Sequence, residues 1–284
     1  MSLAKGSLFG LGGVGALGAG GYFAWRSQQP TDVRSRLVWD GLSVAESQSL
    51  GVYKALYLAN NTQKDFSSFI TASTKEEAAP LLKSKCNKLL NVSVSSEEYE
   101  KSLEEAKRWC LVPEKKTIEI SLLLEDAEFS SVDDDYKNTF ALNKSSQEFI
   151  DTIKNGDSGL KTSSDVSSGF PKVRDWCNKV IKKTPTDSDL RKAKEWCLKG
   201  PLDIKEKLAK DGLTAIGSDG WQQGYVKHKN DQAFLTEISA SPAPSQDSEG
   251  GTKLKTWCES KFTQKLHADA YPSTYDKVKK YCTK

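Results

Sequence analysis

The chain has 284 residues, and its 41 lysines and arginines nearly balance its 38 aspartates and glutamates, leaving a net charge of +3. Both signs are interspersed, which excludes the dense basic patch that a nucleic-acid surface needs. A mean hydropathy of −0.56 and a hydrophobic fraction of 37% disfavour one large core and suit several small ones.

The first 30 residues break this polar pattern. Residues 6–25 carry no charge and lie between Lys5 and Arg26, with Tyr22, Phe23 and Trp25 gathered at one end. A helix of about 20 residues rises about 30 Å, enough to cross a hydrocarbon core, and aromatic rings favour its interface. The preferred reading is an uncleaved signal anchor. The other is a secretory signal cut after a small residue such as Gly18 or Gly20. Arg26, Arg34 and Arg36 follow the segment while only Lys5 precedes it, so loop charge does not set an outward orientation.

Six cysteines then fall into three pairs: Cys86 with Cys110, Cys177 with Cys197, and Cys258 with Cys282. An aromatic residue precedes each second cysteine (Trp109, Trp196, Tyr281), and a lysine stands three before it (Lys107, Lys194, Lys279). Apolar residues at −4 and −7 share a helical face with the cysteine. Ser95 with Glu98, Thr186 with Asp189, and Ser273 with Asp276 have the spacing of capping boxes at the starts of these helices. Farther upstream, aromatic pairs four residues apart recur: Tyr53 and Tyr57, Tyr136 and Phe140, Trp221 and Tyr225. Each is followed by a phenylalanine (Phe66, Phe149, Phe234) and then an isoleucine. The pattern predicts a mainly α protein, with an N-terminal transmembrane helix and three tandem disulfide-stapled helical modules of about 85 residues. The expected boundaries are an anchor over 1–26, a stalk over 27–50, and modules over 51–112, 113–199 and 200–284. Loops are expected over 72–80, 155–171 and 239–252, and short strands stay open over 111–125 and 198–216.

Paired cysteines admit three chemistries. Zinc sites use closer cysteine spacings, usually with histidine, and a redox C-x-x-C motif is absent, so neither metal nor cofactor is expected. Disulfides fit an even count with one pair per module; closing loops of 20–24 residues should contribute about 3 kcal/mol each. They require an oxidising space, which places the bulk of the chain outside the membrane. Asp133, Asp134 and Asp135 lack the spacing of a calcium loop and read as a helix start. His228 and His267 suggest no catalytic triad, and a non-enzymatic protein is expected. The tryptophans at helical offsets read as core.

The glycine-rich hydrophobic segment at 6–25, the Trp-Cys and Tyr-Cys helix ends and the spaced aromatics together resemble the paralogous membrane and surface protein families of haemotropic mycoplasmas. That resemblance implies an exported or surface-anchored protein in contact with a host surface macromolecule or antibody, and transfers no catalytic residue. The alternatives are an exported enzyme without a recognisable motif and a membrane-tethered scaffold facing the cytoplasm with reduced thiols.

Overall fold

A computed structural model describes residues 29–46, 48–154, 156 and 159–284. The expected membrane segment lies outside them. Among the described residues the chain is mainly α-helical with no named strand, and no helix is long and apolar enough to cross a membrane. Two compact units result, 1–112 and 113–284.

Among the described residues the first unit holds five helices: α1 (Val33–Trp39), α2 (Gly51–Asn60), α3 (Phe66–Phe69), α4 (Lys75–Leu90) and α5 (Tyr99–Trp109). α1 starts at Asp32, whose carboxylate accepts the Ser35 N–H at 2.7 Å, satisfying a donor the helix itself cannot. Val33 and Leu37, four apart on one face, are fully buried. The helix ends at Gly41, whose φ of 78° lets the Leu42 N–H return to the Leu37 carbonyl at 2.9 Å. Two backbone bonds clamp α1 to the hairpin of α4 and α5. The Val33 N–H donates to the Val92 carbonyl at 3.0 Å, and the Ala45 N–H to the Cys110 carbonyl at 2.7 Å. Cys86 and Cys110 join α4 to the end of α5.

The second unit repeats this arrangement twice. One five-helix set comprises α6 (Ile118–Leu123), α7 (Asp133–Asn143), α8 (Gln147–Ile153), α9 (Val166–Val180) and α10 (Asp187–Trp196). The next comprises α11 (Ile204–Lys210), α12 (Trp221–His228), α13 (Gln232–Glu237), α14 (Asp247–Phe262) and α15 (Ser273–Cys282), with a π-helix at Leu266–Ala270 before α15. The first helix of each again buries two residues four apart, Ile118 with Leu122 and Ile204 with Leu208. Its caps are Thr117 and Asp203. The clamps recur as well: Ile118 N–H to the Lys183 carbonyl and Ser130 N–H to Cys197, then Ile204 N–H to Gln264 and Ile216 N–H to Cys282. Disulfides join Cys177 to Cys197 and Cys258 to Cys282.

Several expectations change. Residues 29–50, read as stalk, carry α1 and the buried Val33, Leu37 and Ala45. The last six residues of each expected loop are helix, because α4, α9 and α14 begin at residues 75, 166 and 247. Pro80 and Pro171, the last residues of the first two expected loops, each lie early in a helix, where proline removes one internal hydrogen bond and the rest continues. Thr74 and Asp165 cap these helices, accepting from the Glu77 and Ser168 N–H groups at 3.2 and 2.8 Å. The stretches left open for strands hold α6 and α11, with only isolated bridges, as between Phe129 and Leu198. Of the three expected capping boxes only Thr186 accepts its amide, from Asp189; α5 begins after Ser95, at Tyr99, and Ser273 already lies inside α15.

Candidate interaction surface

The predicted aromatic residues converge into one stack per set. Tyr57 meets Phe66 at 6.2 Å between ring centroids, and Phe66 meets Trp109 at 5.2 Å. Phe140, Phe149 and Trp196 repeat the sequence at 6.1 and 5.0 Å, and Tyr225, Phe234 and Tyr281 at 6.1 and 4.9 Å. Tyr53, Tyr136 and Trp221, the first members of the aromatic pairs, are buried one turn earlier. Each stack ends on the residue preceding a cystine, so ring packing and disulfide support the same corner. Such pairs are worth about 0.5–1.5 kcal/mol beyond the area they bury.

Spacing alone did not reveal what lies against the rings. The position eight before each first cysteine holds Ala78, Gly169 or Gly250, all buried. A Cβ on Gly169 would stand 2.1 Å from the Phe140 ring, and one on Gly250 would stand 2.3 Å from Tyr225. The glycines of the third expected loop are therefore packing residues inside α14.

At the outer end of each stack a cation of the last helix meets a carboxylate that begins the third. Arg108 donates to Asp65 at 2.6 Å and lies 4.6 Å from the Trp109 ring centre. Arg191 and Lys192 approach Glu148 at 3.1 and 3.3 Å, with Lys192 5.7 Å from the Trp196 ring. Lys280 donates to Asp231 at 3.2 Å and stands 4.8 Å from the Tyr281 ring. Hydrogen bonds from Lys192 and then Arg191 hold the Glu148 carboxyl below its usual range; the Phe234 N–H and then Lys280 do so for Asp231. In the first set this corner opens into a shallow cleft that also includes Phe69, Lys85 and Glu104.

The lysine three before each second cysteine has its own partner, the acid that ends the first helix of its set. Lys107 reaches Asp40 at 3.4 Å and Lys194 reaches Glu125 at 2.6 Å; the charge of Lys279 acts on Asp211. Asp211 also accepts a short hydrogen bond from the Tyr275 hydroxyl.

Within the second unit the last two sets meet along α7. Its Asn138, nearly fully buried, donates through Nδ2 to the Leu202 and Pro201 carbonyls at 3.3 and 3.4 Å. Its Oδ1 accepts the His267 backbone N–H at 3.2 Å. His267 Nε2 lies 3.5 Å from Asp134, while Leu142 packs on the core of the third set. Asp135 accepts the Ser131 N–H at 3.0 Å, the role expected of the acidic run at a helix start. His228, the other histidine, packs edge-on to Tyr281 at 5.1 Å; burial lowers its pKa, assisted by Lys227 and Lys280.

Among the described residues no three histidine, cysteine or acidic side chains converge to hold a metal ion. No family model matches the chain, and neither a curated protein nor a solved structure is significantly similar to it. What the arrangement offers is three rigid corners, each placing a cation, a carboxylate and an aromatic ring together at the surface.

Proposed function

We propose that this chain is a membrane-anchored, non-enzymatic surface protein that presents three copies of one disulfide-stapled helical module to a host surface macromolecule or to antibody. The observation that carries the reading is the recurrence of one design. Three five-helix sets share the same clamp bonds, the same ring stack and the same cystine at its end. Three cystines and no free cysteine among the described residues suit an oxidising space. The uncharged segment at 6–25 supplies a span long enough for the bilayer.

Display is the mechanism. The links before the fourth helix of each set, 70–74, 154–165 and 238–246, differ freely in sequence and length while the ring stacks beneath them do not. Three similar modules also favour a repetitive ligand through avidity. The test is accessibility on intact cells. An amine reagent that cannot cross membranes should label lysines throughout 29–284 before lysis, and purified protein should be retained on host cells. Labelling that appears only after lysis would replace this reading with a cytoplasmic scaffold.

A further inference from the structure

The three sets differ at one face of the second helix. In the second set this face is covered by its neighbour, and Asp135, Asn138, Thr139 and Ala141 are all less than 9% exposed. In the first set the corresponding Val52, Ala55 and Leu56 are buried too. In the third set the equivalent face of α12 is open. Gly220, Gln223, Gly224 and Lys227 line a cleft there with Ile216 and Lys284. Val226, the counterpart of the buried Ala141, is 41% exposed.

What covers α7 defines what would fit α12. The occupant of α7 is the entry segment of the next set and the stretch leading into its last helix, through Pro201, Leu202 and His267. The first set presents the same elements at Thr31 and at 91–98, where residues 93–98 are all exposed and Val94 is 45% exposed. Ser95 lies three residues past the Val92 carbonyl that anchors α1; His267 lies three past the equivalent Gln264 carbonyl. Charge agrees with this pairing. Glu97 and Glu98 stand on that turn, Lys227 and Lys284 line the α12 cleft, and none of the four is in an ion pair among the described residues. The two glycines thin the α12 surface to backbone, with the Ile216 side chain lying against both and Leu254 against Gly224.

We infer that the α12 face receives the 91–98 turn of a second copy of this chain, a head-to-tail contact that repeats between molecules the joint seen within the second unit. Such a contact is heterologous, so it leaves one face free at each end and extends with concentration. The inference rests on the correspondence of the sets and stands whether the chain is surface-exposed or not.

The test uses full-length chains in detergent. One preparation carries Gln223→Cys and another Ser95→Cys, at the positions equivalent to the bonded Asn138 and His267. Mixed and treated with a short bis-maleimide, they should give a crosslinked pair joining residues 223 and 95, identified by mass spectrometry. Ser95→Cys alone should give none, which separates the contact from association through the N-terminal segment. Lys227→Glu should reduce the yield several-fold, and Glu98→Lys in the other partner should restore part of it. A mixture that crosslinks no more than Ser95→Cys alone, with both proteins folded by circular dichroism, would overturn the inference. So would a yield that neither charge reversal changes.

Discussion

Gly169 and Gly250 show how much a single atom decides in these small cores. A helix interior normally disfavours glycine by about 1 kcal/mol relative to alanine. Here alanine would set its Cβ against a buried ring, at 2.1 Å from Phe140 or 2.3 Å from Tyr225. The ring must shift or the helices must part, and overpacking of this kind costs roughly 1–3 kcal/mol. Gly169→Ala and Gly250→Ala should each lower stability by that amount in denaturant unfolding, although alanine is the better helix former. An unchanged or raised midpoint would mean that the rings are not seated on these glycines. The same residues explain a misreading: SEGG looks like a flexible link when only its composition is considered. Its packing role emerges when position −8 from the cysteine is compared across sets, since Ala78 occupies it in the first. His228 is a second residue whose environment decides its behaviour. Burial lowers its folded pKa below the unfolded value near 6.5, so the unfolded chain binds the proton more tightly. Stability from this group is therefore complete above the unfolded pKa and is lost as pH falls from there towards the folded pKa. An NMR titration should find His228 with the lower pKa than in the urea-unfolded chain. A higher folded value would contradict its packing between Phe234 and Tyr281.

At the scale of elements, the second to fifth helices of each set were largely legible, because large aromatics and cysteines at fixed offsets mark them. The first helix was not. It spans only six or seven residues in each set, and its signal is one cap followed by two apolar residues four apart, a pattern common by chance. Its backbone clamps, which side-chain patterns do not record, tie it to the hairpin together with the ion pairs of Lys107 and Lys194. That is how residues 27–50 came to look like a stalk. The hairpin depends on its cystine for a related reason: a module with so thin a core has little else to offset its chain entropy. Replacing Cys177 and Cys197 together by alanine should lower the stability of the second unit by about 3 kcal/mol, read by denaturant unfolding. Loss of less than about 1 kcal/mol would show that the ring stack suffices. The carboxylates at the outer corners contribute differently. Glu148 and Asp231 have folded pKa values held below their unfolded ones, so their contribution is present above the unfolded carboxylate range and disappears as pH falls through the folded values. Glu148 is exposed and Asp231 half-buried, both within reach of solvent, and added salt should weaken these pairs.

Across the whole molecule, the repeat was visible in the sequence and the joint between neighbouring sets was not. Asn138 carries no signal of its own, sitting two residues after Tyr136 where the other sets have Ala55 and Gln223. Its three hydrogen bonds satisfy the carbonyl of the buried Pro201 and, on the half-buried Leu202 and His267, a carbonyl and an amide. Asn138→Ala should therefore cost about 1–3 kcal/mol and loosen the third set from the second, read as faster hydrogen exchange at the Leu202 and His267 amides. Exchange rates unchanged there would show that the Leu142 and Asp134 contacts hold the joint without it. The functional reading turns on whether these modules are oxidised where the protein works. Intact cells would be alkylated before lysis, the protein digested without reduction, and its linked peptides identified by mass spectrometry. Display at the surface requires Cys86–Cys110, Cys177–Cys197 and Cys258–Cys282 to be recovered as linked peptides, with no other pairing. Six thiols that become alkylated only when the cells are opened would contradict it.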